Sequence, residues 1–131
     1  MKKNKILFVD DEEVMRKLAG RLLAGSYELS LASGVREALE TISGGQLDLL
    51  VTDWRLQDGD GAAVVKAFRE KFPGAPCILI TGFMDTDEFL KQAAGLQFTQ
   101  RFQKPFNVME FLEAVRKALA PAEGAETEPG K

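Results

Sequence analysis

The sequence has no histidine and only one cysteine among its 131 residues. Without histidine, the chain cannot form a Ser-His-Asp triad, a histidine-ligated zinc site or a histidine phosphocarrier. Because Cys77 is alone, an internal disulfide and any metal site that needs several cysteines are also excluded. Oxygen atoms are the remaining ligands for a metal ion.

Long hydrophobic runs and a strongly basic surface are missing as well. No apolar run approaches the roughly 18 residues that span a bilayer, and the "ILFV" that follows the basic N-terminus is too short for a signal-peptide core. The formal net charge is -3, with lysines and arginines scattered along the chain, so no nucleic-acid surface is indicated. We expect a cytoplasmic protein without a direct nucleic-acid or membrane partner.

The chain has alternating strand and helix patterns. Apolar runs predict strands over 5–10, 28–32, 47–53, 76–81 and about 100–103, and helical periodicity predicts helices over about 12–24, 35–43, 61–71, 85–94 and 108–119. This order predicts an α/β fold of five βα units, with a doubly wound, five-stranded parallel sheet. The small, charged and proline-bearing residues 121–131 predict a disordered tail or the start of a linker after a domain over 1–120.

Five polar residues stand at the ends of these predicted strands. They are Asp10 and Asp11 after the first strand, Asp53 after the third, Thr81 after the fourth and Lys104 after the fifth. The ligand site of a doubly wound sheet lies beyond the carboxyl ends of its strands, so these side chains should converge. Three neighbouring carboxylates repel each other unless a cation compensates them, and their oxygens suit Mg²⁺.

Several short motifs at these positions resemble one known family. They are "VDDE" at 9–12, "LLVTD" ending at Asp53, "DG" at 60–61, "LITG" at 79–82 and "KPF" at 104–106. In their order and spacing they are similar to the receiver domains of two-component response regulators, over about residues 5–119. The resemblance implies a flavodoxin-like fold with strand order 2-1-3-4-5, and a regulatory phosphoacceptor rather than an enzyme, apart from slow self-phosphorylation and autodephosphorylation.

The resemblance also implies a role for each residue of the site. Asp53 would accept a phosphoryl group from a sensor histidine kinase or a His phosphotransfer protein. Asp11 would bind Mg²⁺ directly, Asp10 would bind it through water, and the backbone carbonyl of Arg55 would be a further ligand. The phosphorylated form would act on a downstream output domain or protein, and homodimerisation on phosphorylation is a further expectation.

Other residues would bind the phosphoryl group and transmit the signal. Thr81 and Lys104 would contact the phosphoryl oxygens, and movement of Thr81 would shift the loop that carries Phe83. Bulky Phe83 would also shield the phosphoryl group from the hydrolytic water, whose path it flanks with Arg55. Pro105 follows Lys104, and this peptide bond is usually cis in the family.

The sequence departs from the family pattern at two places. Gln57 stands where a proline is usual, which predicts a more flexible loop after Asp53. Arg101 stands where the family has a tyrosine or phenylalanine that turns inward on phosphorylation, and Phe102 is next to it. Either a bulge lets Phe102 serve in the switch, or Arg101 makes a polar contact instead.

Less specific interpretations stay open at this point. Asp10 and Asp11 could cap the following helix, Thr81 could be an ordinary strand residue, and Lys104 could be a solvated lysine. A receiver-like scaffold that works without phosphorylation is one alternative function. A phosphatase of the haloacid dehalogenase type is another, but "DDEEV" does not match its "DxDx[TV]" motif.

Overall fold

The computed structural model describes residues 3–82 and 87–120, apart from the side chain of Glu88. Within these ranges strands and helices follow each other along the chain. They are β1 (Lys5–Val9), α1 (Glu13–Leu23), β2 (Glu28–Ala32), α2 (Val35–Gly44), β3 (Leu49–Thr52), β4 (Arg55–Leu56), β5 (Gly59–Asp60), α3 (Gly61–Lys71), β6 (Cys77–Thr81), α4 (Asp87–Ala93), β7 (Gln100–Gln103) and α5 (Val108–Ala118).

Five of the strands form one parallel sheet. Its order is β2-β1-β3-β6-β7, which is 2-1-3-4-5 when only the strands of this sheet are counted along the chain. The predicted fold class and strand order are therefore confirmed. In the register, Val9 lies beside Thr52 and Thr52 beside Leu79, so the carboxyl ends of β1, β3 and β6 share one edge.

Apolar side chains cover both faces of the sheet. On one face, Ile6 and Phe8 of β1 pack with Leu23 of α1 and with Phe111 and Val115 of α5. On the other face, Leu7 and Leu50 pack with Ala38 and Ile42 of α2 and with Val64 and Phe68 of α3. Because both faces of the central strands are covered, these strands read as nearly continuous apolar runs in the sequence.

The element boundaries differ slightly from the predicted ones, and one feature was not predicted. The two-stranded hairpin β4–β5 follows the third strand of the main sheet and was missed. The predicted fourth helix over 85–94 is observed over Asp87–Ala93, and residues 83–86 lie outside the described residues. Residues 121–131 also lie outside them, so the tail stays a prediction. Among the helices within residues 3–82 and 87–120, none combines the length and the hydropathy that a membrane span requires.

Candidate functional site

The polar residues at the strand ends converge at the carboxyl edge of the sheet. Backbone hydrogen bonds extend the strand pairing to them, because the Asp53 N–H donates to the carbonyl of Val9 at 2.9 Å and the Lys104 N–H donates to that of Thr81 at 2.9 Å. Thr81 is the last residue of β6 and is fully buried. The sheet register thus brings all five predicted residues to one edge.

Lys104 lies at the centre of this group. Its Nζ atom is 2.9 Å from Asp53 Oδ2, 3.0 Å from Asp10 Oδ2 and 3.0 Å from Glu12 Oε1. Lys104 is therefore not a freely solvated lysine, since only 20% of its side chain is exposed. Glu12 was not singled out from the sequence, and its position directly after the acidic pair was the available signal.

Three carboxylates form a potential cation site beside Lys104. One oxygen from each of Asp10, Asp11 and Asp53 lies within 4.8 Å of the others. Asp10 and Asp53 are buried, whereas Asp11 is half-buried. A cluster of carboxylates without nitrogen or sulfur ligands fits Mg²⁺, which prefers hard oxygen ligands and keeps several waters.

Burial, hydrogen bonds and neighbouring charges shift the pKa values of Asp10 and Lys104. Burial raises the pKa of Asp10, the charge of Asp53 adds to this effect, and hydrogen bonds from the Glu12 N–H and Lys104 offset only part of it. Burial alone would lower the pKa of Lys104, but its hydrogen bonds to Asp53, Asp10 and Glu12 hold that pKa above the usual value. The site therefore holds a protonated lysine among more carboxylates than one lysine can neutralise.

The Asp53 carboxylate is held in a fixed orientation by the backbone that follows it. Its Oδ1 atom accepts a hydrogen bond from the Trp54 N–H at 2.6 Å, so that Oδ2 is the oxygen in contact with Lys104. Gly61 approaches this segment closely, and its N–H donates to the Trp54 carbonyl at 2.6 Å. A Cβ atom on Gly61 would lie 2.5 Å from the Asp53 carbonyl oxygen, which explains the glycine of the "DG" motif.

The strand register fixes where Arg101 and Phe102 lie. Strand β7 pairs with β6 residue by residue, without a bulge, and brings Arg101 beside Leu79 and Phe102 beside Ile80. Phe102 faces α1 and α5 and packs against Phe111. Arg101 lies on the opposite face, where its guanidinium is 5.4 Å from the centre of the Phe98 ring.

The Phe98 ring connects Arg101 with the residue that follows Asp53. Phe98 is in an edge contact with Trp54, at 6.5 Å between ring centres, and Phe89 of α4 contacts Trp54 at 5.0 Å. Trp54 is only 2% exposed, as expected for a packing residue. Two aromatic rings, those of Trp54 and Phe98, thus lie between Asp53 and Arg101 of β7.

The other predicted residues are found as follows. Arg55 begins the hairpin strand β4 and its side chain is exposed. The Lys104–Pro105 peptide bond is cis, as the resemblance implied. Phe83, for which a shielding role was predicted, lies outside the described residues.

Comparison with known proteins gives one consistent result. Residues 6–116 match the family model described as response regulator receiver domain. The chain is 33% identical over 123 residues to the response regulator protein PilR of Pseudomonas aeruginosa, and 29% identical over 124 residues to the chemotaxis protein CheY of the same organism. The signal receiver domain of an HD domain-containing protein from Pseudomonas fluorescens has a similar structure, with a TM-score of 0.82 and 26% identity over 97% of this chain and 100% of that one.

These relatives differ greatly in length. The matched region is 91% of this chain but only 27% of PilR, whereas it is 92% of this chain and 99% of CheY. The match to the DNA-binding transcriptional regulator NtrC of Proteus hauseri covers 25% of the length of NtrC. The chain therefore spans about a quarter of the length of PilR and NtrC, and nearly all of CheY.

Proposed function

This chain belongs to the response regulator receiver domain family, and from this premise we propose that Asp53 accepts a phosphoryl group in the presence of Mg²⁺. The donor is a sensor histidine kinase or a His phosphotransfer protein. The domain is a regulatory phosphoacceptor, with slow phosphorylation and dephosphorylation of its own, and we propose that it works in the cytoplasm. Phosphorylation controls a downstream output domain or protein, and homodimerisation of the phosphorylated form belongs to the same proposal.

One observation carries this proposal. Oxygens of Asp10, Asp11 and Asp53 lie within 4.8 Å of each other, and Lys104 Nζ lies 2.9 Å from Asp53 Oδ2. Phosphoryl transfer to a carboxylate needs a nucleophile in a fixed position and compensation of the charge on the phosphoryl oxygens. Both requirements are met by residues of this cluster.

Each residue has its own task in this chemistry. Asp11, Asp53 and the backbone carbonyl of Arg55 would hold Mg²⁺ directly and Asp10 would hold it through water, and the ion would compensate charge on the phosphoryl oxygens. As the P–O bond to Asp53 forms, the P–N bond of the donor phosphohistidine breaks and the electron pair stays on the imidazole. Lys104 neutralises one phosphoryl oxygen, and the Thr81 hydroxyl donates a hydrogen bond to another.

The signal leaves the site through Thr81 and the strand next to it. Thr81 moves toward the phosphoryl group and shifts the loop with Phe83, which also shields the group from water. Arg101 takes the place of the aromatic switch residue. Pro105 fixes the turn between β7 and α5, and Phe102 packs against Phe111 of α5. The stacking of Arg101 on Phe98 supports this assignment, because it connects the exposed edge of β7 with Trp54 beside Asp53.

Intact-mass analysis tests the proposal directly. The chain is incubated with MgCl₂ and a small acyl phosphate, beside Asp53→Asn and a magnesium-free sample. We expect one phosphoryl group to be incorporated, and only when both Mg²⁺ and Asp53 are present. If neither the acyl phosphate nor a phosphorylated kinase domain modifies the chain, the proposal is wrong and a scaffold that acts without phosphorylation is favoured.

A further inference from the structure

Helix α2 is capped by a residue from the loop after Asp53. Asp58 Oδ1 accepts a hydrogen bond from the Val35 N–H at 2.7 Å, and Asp58 Oδ2 accepts one from the Arg36 N–H at 3.1 Å. The first N–H groups of a helix have no partner within the helix, and the N-cap residue Gly34 has no side chain to offer. Asp58 therefore supplies the missing cap from a distant segment.

Glycines on both segments, Gly34 before α2 and Gly59 after Asp58, leave room for this contact. A Cβ atom on Gly34 would lie 2.6 Å from Asp58 Oδ1. Gly59 has a φ of +155°, which favours glycine, and a Cβ atom there would lie 3.0 Å from Val35 Cγ2. The N–H groups of Arg36 and Val35 also hold the pKa of Asp58 below its usual value, so the cap carries a full negative charge at neutral pH.

The capping residue lies at the tip of the hairpin β4–β5. In this hairpin Arg55 pairs with Asp60 and Leu56 pairs with Gly59, so that Gln57 and Asp58 form the turn. The base of the hairpin is fixed by the hydrogen bond from the Gly61 N–H to the Trp54 carbonyl. The backbone of Arg55, whose carbonyl is the proposed metal ligand, lies between these two attachments.

We propose that Asp58 is a positioning residue for the magnesium site. By capping α2 it holds the tip of the hairpin and keeps the Arg55 carbonyl where the cation needs it. Without the cap, the hairpin would adopt the binding-competent conformation for only a fraction of the time, and the apparent affinity for Mg²⁺ would be the intrinsic affinity multiplied by that fraction. This inference rests on the proposed function, because it concerns the same metal site.

The experiment is a titration of the ¹⁵N-labelled full chain with MgCl₂, in which amide chemical shifts report binding. Asp58→Ala is compared with Asp48→Ala, because Asp48 is also an exposed aspartate that caps a backbone group, the Lys5 N–H at 2.8 Å, but at the opposite edge of the sheet. We expect Asp58→Ala to weaken Mg²⁺ binding by about threefold to tenfold, as loss of a helix cap allows. Asp48→Ala should bind Mg²⁺ like the wild type.

Urea unfolding without Mg²⁺ separates this effect from general stability. Both variants are expected to lose stability, but only Asp58→Ala should lose affinity. Equal Mg²⁺ affinities of Asp58→Ala and Asp48→Ala would overturn the positioning role while leaving the proposed function intact. If Asp58→Ala does not fold, Asp58→Asn decides in the same titration, since an amide lacks the charge and the second acceptor oxygen. Failure of the wild type to bind Mg²⁺ would overturn the metal site itself, and the inference with it.

Discussion

At the scale of single residues, Lys104 connects the largest number of charges in the site. Its ammonium group contacts three carboxylates, of which those of Asp10 and Asp53 are almost fully buried. A buried carboxylate is stable only when it is paired with a cation or with hydrogen-bond donors. The lysine therefore has a structural task that does not depend on phosphorylation.

Replacing Lys104 by methionine tests this structural task. Lys104→Met keeps an apolar stem of similar length but removes the charge, so we expect the free energy of unfolding to fall by about 1–3 kcal/mol without Mg²⁺. Mg²⁺ should restore more stability to this variant than it adds to the wild type, because it compensates the same carboxylates. Urea unfolding with and without MgCl₂ measures both effects. If Mg²⁺ raised the free energy of unfolding equally in Lys104→Met and in the wild type, this explanation would be contradicted.

Gly61 is a second residue whose identity follows from a contact with the site. A Cβ atom there would meet the carbonyl oxygen of Asp53 at 2.5 Å and the Cα atom of Trp54 at 3.2 Å, and these backbone atoms cannot easily move. We expect Gly61→Ala to cost about 3 kcal/mol of stability, at the upper end of overpacking effects. It should also slow phosphoryl incorporation at Asp53, measured by intact mass.

The matched control is Gly20→Ala within helix α1. Nothing lies within 4 Å of a Cβ atom at Gly20, so the variant should be more stable than the wild type by about 0.5–1 kcal/mol. Its phosphoryl incorporation should not change. If the two alanine variants behave alike, the close approach of Gly61 to Asp53 does not determine the geometry of the site.

At the scale of secondary-structure elements, the sequence predicted the main sheet well but missed the hairpin. Strands such as Cys77–Thr81 are recognisable because buried apolar runs end abruptly at polar residues, and these ends also identified Asp53 and Thr81. The paired segments of β4 and β5 have two residues each, which is too short for any periodicity.

The residues that sequence reasoning missed depend on contacts between distant segments. Glu12 contacts Lys104, which is 92 positions away, and Asp58 contacts Val35, which is 23 positions away. No local pattern reports such pairs. The choice between Arg101 and Phe102 was open for a related reason, since a shift of one residue in strand register exchanges the two faces of a strand.

The cap on helix α2 gives a prediction about pH. Hydrogen bonds from the Arg36 and Val35 N–H groups lower the pKa of Asp58 in the folded chain below its value of 3.8 in the unfolded chain. A lowered pKa means that this contribution to stability is complete above the unfolded value and is lost as the pH falls through the folded value. Asp58→Asn should therefore be less stable than the wild type at pH 6, and the difference should shrink below about pH 4. Urea unfolding of both proteins across this pH range measures the difference. A stability difference that does not vary with pH would contradict the prediction.

Arg101 of strand β7 gives a prediction about the proposed switch. Arg101 stacks on Phe98, and a cation–π contact at an exposed position contributes about 0.5–1 kcal/mol. We expect Arg101→Ala to lose this stability and to change the response of the fluorescence of Trp54, the only tryptophan, to phosphorylation. Phosphoryl incorporation itself should persist. Gln103→Ala is the control, as Gln103 is an exposed residue of the same strand; identical results for both variants would rule out a switch role for Arg101.

At the scale of the whole molecule, the site exists only when four of the five strands of the main sheet are assembled. Lys104 lies 94 positions from Asp10 and 51 positions from Asp53, so their contacts require β1, β3, β6 and β7 to be in register. The unfolded chain cannot hold these carboxylates together. A cation that binds them binds only the folded state, and its binding free energy adds to folding stability.

Magnesium should therefore raise the midpoint of thermal unfolding of the wild type. At ten times the dissociation constant, one bound ion adds about 1.4 kcal/mol, which corresponds to a few degrees in Tm for a domain of this size. Asp11→Asn should lose this response, and Asp11 is the suitable position because it is only half-buried and its substitution disturbs packing least. NaCl at matched ionic strength is needed as a control, since any salt screens repulsion among the acidic residues. An equal rise in Tm with NaCl, or in Asp11→Asn, would mean that the three carboxylates do not bind the ion as a site.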